Sequence, residues 1–241
     1  MAENLPPLYI NAGNTHIGIL DVAKGAGEVV THTHKDFFAR FAQLTKERKL
    51  LVSSVVPAIR DLLKEKGAFI VSPELKMPFL FPEKMNKKTL GADRLCNAAG
   101  LLEGRLPAIS IDFGTAITLE LVTEEKIFYS GGILPGRKLM RHALNDHTAL
   151  LPLLPLDFPL PEGAAFTTEE SLALGTDLAA VGAVRELLAH LKKAFSFPEN
   201  TVRIVGCGGD RKFFLPFFPG MEEDGFLTYK GLQKIGEENG L

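Results

Sequence analysis

The sequence predicts an α/β fold made of two related lobes, and three observations lead to this prediction. First, residues 8–20 and 110–122 share one pattern, in which an apolar strand ends in a polar side chain, a glycine turn follows, and a second apolar strand begins. Second, strand and helix patterns alternate along the rest of the chain. Third, each half opens on such a hairpin. We therefore expect lobes at 1–106 and 107–241, each built around a mixed sheet.

The two hairpin turns have the residue types of a phosphate-binding turn. Asn11-Ala12-Gly13-Asn14-Thr15 aligns with Asp112-Phe113-Gly114-Thr115. Glycine allows a ligand to approach the backbone closely, and the backbone N–H groups and a hydroxyl can point at a phosphate. One such hairpin is a weak signal because glycine turns are common. Two copies in corresponding halves predict a duplicated fold that holds a polyphosphate.

The remaining elements of the first lobe follow from apolar spacing and turn residues. The run LLVSSVV ends at Pro57 and predicts a buried strand, while the apolar spacing after Leu90 is helical until Gly104 and Pro107. The prediction has strands at 50–56, 69–71 and 79–81, helices at 34–45, 58–66 and 90–102, and a turn near 24–27.

The second lobe repeats the alternation of strands and helices. Thr168 precedes Glu169 and Glu170, which favours a helix N-terminus with Thr168 as its cap. The glycines of GGILPG, residues 131–136, either shape a turn or bring bare backbone near a nucleotide. The prediction has strands at 108–112, 126–129 and 202–205, helices at 137–144, 168–189 and 210–218, a proline-rich loop at 151–161 and a short terminal helix.

Composition excludes several classes of function. The 241 residues are 46% hydrophobic and 23% charged with a net charge of −2, which gives no broad electrostatic reason to bind nucleic acid or an anionic membrane. No run of about 18 apolar residues is present, and the N-terminus lacks the pattern of a signal peptide. Cys96 and Cys207 lie far apart, and His32 and His34 have no acidic or cysteine partner nearby, so we expect no zinc site. A reducing, cytoplasmic location is expected.

Taken in order, the motifs resemble those of the type III pantothenate kinases, also called the Bvg accessory factor family. This family belongs to the actin-like ATPase superfamily, whose duplicated lobes have a ribonuclease H-like fold. The resemblance spans nearly the whole chain. The motifs are Gly13-Asn14-Thr15, Ser53-Ser54-Val55-Val56-Pro57, Gly91-Ala92-Asp93-Arg94 with Asn97, Asp112-Phe113-Gly114-Thr115-Ala116, Gly131-Gly132 with Pro135-Gly136, Thr168 with Gly175, and Gly208-Gly209.

The resemblance implies ATP-dependent phosphorylation of pantothenate to 4'-phosphopantothenate, the first step of coenzyme A synthesis. It also implies Mg²⁺ bound with ATP, a monovalent cation (K⁺ or NH₄⁺) near Asp112, and a homodimer with pantothenate at the subunit interface. The residues implied to bind ATP are Asn11, Ala12, Gly13, Asn14, Thr15, His16, Ile17, Gly18 and Thr115, with Gly206, Gly208 and Gly209 at the adenosine turn. Those implied to bind pantothenate are Gly91, Ala92, Asp93, Arg94 and Thr168.

Asp93 is the candidate catalytic base. Phosphoryl transfer depends mainly on alignment and charge neutralisation, and a carboxylate can accept the proton of the attacking hydroxyl. Arg94 has the planar fork that suits a carboxylate or a phosphate. The alternative is structural, with Asp93 capping a helix and Arg94 in a surface ion pair. Thr168 likewise either contacts substrate, caps its helix, or does both.

Two positions depart from the family pattern. Asn11 stands where the family has an aspartate, and the amide keeps the shape of the turn but loses a charge that would hold hydrated magnesium. Lys84 stands where the family often has a tyrosine that contacts substrate. These departures leave two alternatives open, a non-catalytic nucleotide-binding or regulatory relative and a kinase acting on another small hydroxylated acid.

The long helix after Thr168 predicts a homodimer. Its apolar residues are too many for one narrow stripe, so we expect more than one of its faces to be buried. The alternative is a monomer in which this helix is simply central to the core. The residues concerned are Leu172, Leu174, Ala179, Ala183 and Leu187.

Overall fold

Strands and helices alternate along the chain as the sequence predicts. The computed structural model describes residues 5–24, 29–44, 48–198 and 200–241. The strands are β1 (Leu8–Ala12), β2 (Ile17–Asp21), β3 (Val29–His32), β4 (Leu50–Ser54), β5 (Phe69–Ile70), β6 (Ala108–Phe113), β7 (Ala116–Val122), β8 (Phe128–Pro135), β9 (Arg203–Cys207) and β10 (Glu222–Glu223). The helices are α1 (His34–Leu44), α2 (Pro57–Glu65), α3 (Ala92–Leu101), α4 (Arg137–Asp146), α5 (Thr168–Ala194), α6 (Arg211–Phe214) and α7 (Leu227–Glu238). Short 3₁₀ turns lie at Val22–Lys24, Lys87–Thr89 and Leu215–Phe217.

The strands form two sheets with the same order. The first sheet runs β3-β2-β1-β4-β5 and the second runs β8-β7-β6-β9-β10. In the first sheet β1 pairs antiparallel with β2 and parallel with β4, so this sheet is mixed. Numbered within its own half, each sheet therefore has the order 3-2-1-4-5, with the predicted hairpin as strands 1 and 2. This repeat confirms the duplicated α/β fold.

The core of the first sheet is apolar on both faces of its central strands. All five residues of β4 are buried, as expected for a parallel strand between two neighbours. Helix α2 starts with Pro57 at its first turn, where the missing N–H costs nothing, and it buries Ile59 and Leu63 against this sheet. This packing fixes the position of the sheet whose strands β1 and β2 are joined by the first glycine turn.

Helices α3 and α7 pack backbone against backbone. A Cβ atom at Gly231 would overlap the carbonyl oxygen of Cys96, and one at Gly100 would overlap that of Leu227. The Thr228 hydroxyl donates a buried hydrogen bond of 2.7 Å to Asn97 Oδ1. Close approach of this kind requires glycine, so the position of α3 is set by the terminal helix.

The chain divides into two compact units. Unit 1 contains residues 1–108, 120–129 and 224–241, and unit 2 contains residues 109–119 and 130–223. The terminal helix α7 thus belongs with the N-terminal half, because its glycine contacts are made with α3. The division into lobes at 1–106 and 107–241 stays a prediction.

Several element predictions differ from the structure in detail. Gly131 and Gly132 lie within strand β8, so the turn proposed for them is wrong. A Cβ at Gly131 would stand 2.8 Å from Leu191 and 2.9 Å from Leu119, which explains why the strand carries no side chain there. The cap of α5 is Thr167, because its side chain and Glu170 form a reciprocal capping box, and Thr168 is the first helical residue.

Other expected elements are shorter than predicted or lie outside the description. The strand expected at 79–81 is reduced to a single parallel bridge between Leu80 and Ile127. The turn expected near 24–27 and the end of the helix expected at Thr45 fall largely outside the described residues. Within the described ranges, no helix combines the length and apolarity that crossing a membrane requires.

Candidate active site

Turn 1 (residues 13–16) joins β1 to β2 in unit 1. The Gly13 N–H donates to the His16 carbonyl over 3.0 Å and closes the turn. The Val55 N–H, at the end of β4, donates to the carbonyl of Ala12 over 3.1 Å. On the other side, Nε2 of His34 donates to the Gly13 carbonyl over 2.9 Å. Turn 1 is therefore held by two neighbouring segments, the one that follows β4 and the one that follows β3.

The rest of the first hairpin is also fixed by its neighbours. Asn11 lies opposite Gly18 on β2 and Ser53 on β4. A Cβ at Gly18 would overlap the hydroxyl of Tyr229, so α7 covers the hairpin at this point. Burial raises the pKa of the Tyr229 hydroxyl, which keeps it neutral. In the described structure Asn14 and His16 are exposed at the tip of the turn.

Turn 2 (residues 114–116) joins β6 to β7 in unit 2 and has the same frame. The Gly114 N–H donates to the Ala116 carbonyl over 3.2 Å. The Asp210 N–H, which follows β9, donates to the carbonyl of Phe113 over 3.0 Å. The Gly136 N–H, which follows β8, donates to the carbonyl of Thr115 over 2.9 Å. The repeat in sheet order thus extends to the hydrogen bonds that hold the two turns.

Asp112 and Gly208 come together beside turn 2. Gly208 has φ +85°, and a Cβ there would overlap Oδ1 of Asp112 and stand 2.7 Å from backbone atoms of Phe113. Both the conformation and the contact require glycine. Gly209 is exposed, with no atom within 4 Å of an added Cβ, and Gly206 packs on Met221. Among the glycines expected to bind adenosine, Gly209 therefore has open space beside it, whereas Gly206 is packed against another side chain.

Asp93 stands in the first turn of α3, with Gly91 as the cap residue. Its Oδ1 accepts the N–H of Arg94 over 2.8 Å. Burial raises the pKa of the Asp93 carboxyl, although the N–H and the charge of Arg94 oppose the shift. A Cβ at Gly91 would lie 2.5 Å from this carboxylate, so glycine makes room for it. Asp93 thus has a local structural role and the desolvated environment of a base.

Arg94 is buried and paired, which excludes the surface ion pair considered from the sequence. Its Nε donates to Oε1 of Glu120 over 2.7 Å, and the Glu120 side chain is fully buried. Glu120 therefore fixes the direction of the guanidinium. Cys96 lies one helical turn after Asp93, and burial raises the pKa of its thiol, so it is an inert core residue.

The structure groups the expected site residues within each unit. Unit 1 contains turn 1 and the segment from Gly91 to Arg94. A Cβ atom added at Gly91 would lie 3.6 Å from Cγ1 of Val55, the residue that follows β4. Unit 2 groups Asp112, Thr115 and Gly208 around turn 2. Thr168 lies elsewhere in unit 2, exposed at the start of α5. Among the described residues, no cluster of three or more histidine, cysteine or acidic side chains could hold a metal ion.

Comparison with known proteins identifies the family. A sequence profile described as type III pantothenate kinase matches residues 7–190. The type III pantothenate kinase of Methylacidiphilum infernorum is 34% identical, over 82% of this chain and 74% of that protein. The chain belongs to the type III pantothenate kinase family. A second type III pantothenate kinase, from Geobacter sp. strain M21, is 30% identical and covers 96% of this chain and 99% of its own length.

Solved structures support the fold of this type III pantothenate kinase relative. A Baf family protein from Campylobacter jejuni superposes with a TM-score of 0.67 at 20% identity, over 96% of this chain and 98% of that one. The activator of 2-hydroxyisocaproyl-CoA dehydratase from Clostridium difficile, solved with bound ADPNP, gives a TM-score of 0.51 at 13% identity, over 97% of this chain and 95% of that one. Both confirm the duplicated actin-like ATPase fold.

Sequence reasoning missed several residues that shape the site. Glu120 carries a charge within the apolar strand AITLELV, a local signal that could have been used. His34 was considered only as a metal ligand, and its contact with turn 1 depends on the path of the chain between them. Tyr229 and Asp210 act on residues far away in sequence, so no local pattern points to them.

Proposed function

We propose that this chain phosphorylates pantothenate with ATP, the first step of coenzyme A synthesis. The observation that carries the proposal is the repeated turn frame in a member of this kinase family. Each turn combines glycine, backbone N–H groups and hydroxyl or amide side chains, which is the chemistry of a phosphate-binding turn. The three kinase-family matches above all support this reaction over a purely regulatory role.

ATP is proposed to bind through both turns and the glycines after β9. In unit 1 the ATP residues are Asn11, Ala12, Gly13, Asn14, Thr15, His16, Ile17 and Gly18. In unit 2 they are Thr115, Gly208 and Gly209. Gly209 supports the adenosine assignment because it is exposed and faces open space, whereas Gly208 is required by the packing of Asp112.

Asp93 is proposed as the base that accepts the proton of the pantothenate hydroxyl. Its carboxylate is partly desolvated and its pKa is raised, which makes it a stronger base than an exposed aspartate. The backbone N–H of Arg94 holds the carboxylate in one orientation. Catalysis then rests on the alignment of this oxygen with the substrate hydroxyl, because the phosphoryl group itself needs no covalent help.

Pantothenate is proposed to contact Gly91, Ala92, Asp93, Arg94 and Thr168. Arg94 would face the carboxylate of the substrate, with Glu120 fixing the orientation of its guanidinium. Thr168 is exposed at the first turn of α5, where backbone N–H groups also favour an anion. Lys84, at the position of the missing tyrosine, is exposed in the described structure.

The donor set fits the expected cations. Mg²⁺ bound with ATP keeps several waters and needs only one or two protein carboxylates, so the absence of a three-residue acidic cluster among the described residues is compatible with it. Asp112 lies against the backbone of Gly208 and can supply a carboxylate oxygen beside turn 2. When bound, the cations would neutralise phosphate charge. We propose Asp112 as the ligand of a monovalent cation, K⁺ or NH₄⁺.

A homodimer is proposed, on grounds different from those drawn from the sequence. Leu172 packs with Leu154 inside unit 2, so part of the apolar surface of α5 is already satisfied. Phe166 and Leu150, however, are 91% and 92% exposed, and Leu178 of α5 is 46% exposed. We propose that these exposed apolar side chains lie at the interface between the two subunits. Sedimentation at micromolar concentration should give a dimer, and a fully active monomer would contradict it.

The proposed reaction is tested by ATP consumption with and without pantothenate, across a range of Mg²⁺ and K⁺ concentrations. We expect turnover that depends on both pantothenate and magnesium. ATP consumption that ignores pantothenate but responds to another small hydroxylated acid would reassign the substrate. Nucleotide binding with no turnover under any condition would favour the non-catalytic relative. A cytoplasmic location, and the absence of nucleic-acid and membrane partners, stay predictions.

A further inference from the structure

Unit 2 contains a cluster of buried charged residues, none of which is among the site residues expected from the sequence. Arg137, the first residue of α4, is only 3% exposed, and Asp177 on α5 is fully buried. The guanidinium of Arg137 donates from Nε and Nη2 to both carboxylate oxygens of Asp210, over 2.8 and 2.7 Å. Its Nη1 donates to Asp177 over 3.1 Å, and its face lies 3.4 Å from the ring of Phe213. This guanidinium is fixed on every side.

The cluster continues to a second arginine. Arg141, one turn further along α4, donates to the other oxygen of Asp177 over 2.8 Å and also to the carbonyl of Pro155. Burial lowers the pKa of Arg137, but the hydrogen bonds and charges of Asp210 and Asp177 outweigh it and raise the pKa overall. Every charge in the cluster therefore has a partner, and Arg137 stays protonated.

The ion pair between Arg137 and Asp210 closes a ring around turn 2. Asp210 holds the turn at one end through its backbone N–H, which donates to the carbonyl of Phe113. The residue before Arg137, Gly136, holds it at the other end through its N–H on the carbonyl of Thr115. Arg137, which directly follows the donor Gly136, and Asp210, which is the other donor, lie 73 residues apart in the chain. The side chains of Arg137 and Asp210 tie the segments that carry these two donors to each other by a direct ion pair.

We propose that Arg137 and Asp210 are positioning residues for the ATP phosphates, because their paired contact fixes the two N–H groups that set the shape of turn 2. The proposal rests on the function proposed above. Neither side chain needs to touch ATP. A two-pronged arginine–carboxylate contact fixes direction as well as distance, which a single point charge does not. A buried ion pair is weak support for stability alone, but it is well suited to selecting one arrangement of the groups around it.

The test measures binding of a non-hydrolysable ATP analogue by calorimetry, together with KM for ATP and for pantothenate. Asp210→Asn keeps the shape and the backbone N–H but loses the charge, and Arg137→Lys keeps the charge but loses the two-pronged contact. We expect each to weaken analogue binding about tenfold, within the range that small misplacements of site groups cause. KM for pantothenate should stay within twofold. The matched control is Arg203→Gln, which removes a more exposed arginine paired with Glu222 on the same sheet.

The double variant separates positioning from general stability. If the two residues act through one contact, Arg137→Lys with Asp210→Asn should bind the analogue no more weakly than the weaker single variant, because both changes break the same pair. Each variant is measured at least about 10 °C below its own melting temperature, so that it is folded during the measurement. In a chain of this length such a margin corresponds to a few kcal/mol of stability. Analogue binding equal to wild type in both single variants would overturn the proposal. Equal loss of ATP and pantothenate affinity would also overturn it, since that pattern indicates loose folding.

Because the test measures binding of the ATP analogue directly, its outcome can be separated from the outcome for the proposed kinase reaction. If the wild-type chain binds the analogue but does not phosphorylate pantothenate, the reaction is wrong and the variants still decide the role of Arg137 and Asp210. If the wild-type chain phosphorylates pantothenate and the variants bind ATP normally, only the positioning role is wrong. If the wild-type chain binds no nucleotide, both proposals are wrong.

Discussion

Turn 1 and turn 2 have the same frame of hydrogen bonds but differ in the charged residues beside them. In both turns an N–H group that follows strand 4 of the sheet holds the carbonyl before the glycine. The neutral Asn11 stands two residues before turn 1, whose outer contact is the imidazole of His34. Asp112 stands two residues before turn 2, whose outer contacts are backbone N–H groups next to the ion pair of Arg137 and Asp210.

The difference shows that two copies of one fold can keep the same backbone frame and carry different charges. Unit 1 keeps its turn neutral and carries the desolvated carboxylate of Asp93 close to the end of β4. Unit 2 carries the cluster of Arg137, Arg141, Asp177 and Asp210 and the candidate cation ligand Asp112. Backbone geometry is common to both halves because the sheet order dictates it. The charges are not common, because they depend on single side chains that can change without disturbing the sheet.

Removing the proposed base, Asp93, should have the largest effect on turnover. Asp93→Asn keeps the oxygen that accepts the Arg94 N–H but cannot accept a proton, so we expect kcat to fall about 10²–10⁴-fold. Affinity for ATP should stay within about threefold, since the turns are untouched. The measurement is steady-state turnover together with analogue binding, and Asp61→Asn, in an exposed pair with Arg60, is the matched control. Wild-type turnover in Asp93→Asn would remove this residue from the mechanism.

Replacing a glycine by alanine should destabilise the protein more beside turn 2 than in turn 1. Gly208→Ala forces a side chain into φ +85° and against the backbone of Phe113. We expect the free energy of unfolding to fall by about 2–4 kcal/mol, from the strained conformation and the overlap together. Gly13→Ala places its Cβ 3.4 Å from the His16 carbonyl and should cost less than about 1 kcal/mol. Thermal unfolding without nucleotide makes the comparison, and equal losses would show that turn 2 is no more tightly packed.

Restoring a charge to turn 1 should sharpen the electrostatic difference. If the amide of Asn11 limits the enzyme, Asn11→Asp should raise magnesium-dependent turnover, by up to about tenfold, because a carboxylate holds hydrated Mg²⁺ better than an amide. The reciprocal change Asp112→Asn should lower activity and its dependence on K⁺. Turnover measured against Mg²⁺ and K⁺ concentration checks both. Unchanged or lower activity in a folded Asn11→Asp chain would mean that turn 1 is adapted to the amide.

Local signals in the sequence predicted the elements well. The hairpins were visible because a glycine between two apolar runs is a short-range pattern, and α3 and α5 because their apolar spacing is long. The cap of α5 was placed one residue late, although Glu170 three residues after Thr167 marks the capping box. Of the two alternatives for Gly131, the turn is wrong, and the close approach of Leu119 and Leu191 that requires glycine there is a matter of packing that no local pattern shows.

The charged residues that support the site could not be predicted in the same way. Arg137 pairs with Asp210 across 73 positions and Arg94 pairs with Glu120 across 26. No periodicity relates such residues, since the pairing is created by the sheet order. The family resemblance placed Asp93, Asp112 and the glycines of both turns, but it gave no reason to single out Arg137 or Asp177. Motifs could therefore suggest candidate site residues, whose roles stay predictions, but could not point to the charged groups that contact them.

The smallest effect is the pH dependence that Asp93 gives to stability. Burial raises the pKa of this carboxyl in the folded chain, so the folded chain binds its proton more tightly than the unfolded chain does. The free energy of unfolding therefore falls as the pH rises from the unfolded pKa, near 3.9, to the higher folded pKa, and stays lowered above it. Asp93→Asn cannot ionise and escapes this loss.

The melting temperature of Asp93→Asn, relative to wild type, should accordingly be higher at about pH 7 than at about pH 4.5, by a few degrees at most. Asp61→Asn, which removes an exposed carboxyl, controls for the general effect of losing one charge. A constant difference across the whole range would mean that Asp93 titrates alike in both states. A rise with pH would show that unit 1 keeps its charge at a cost in stability, because Asp93 sits in a poorly solvated place. In unit 2, by contrast, Asp177 and Asp210 are each paired with an arginine.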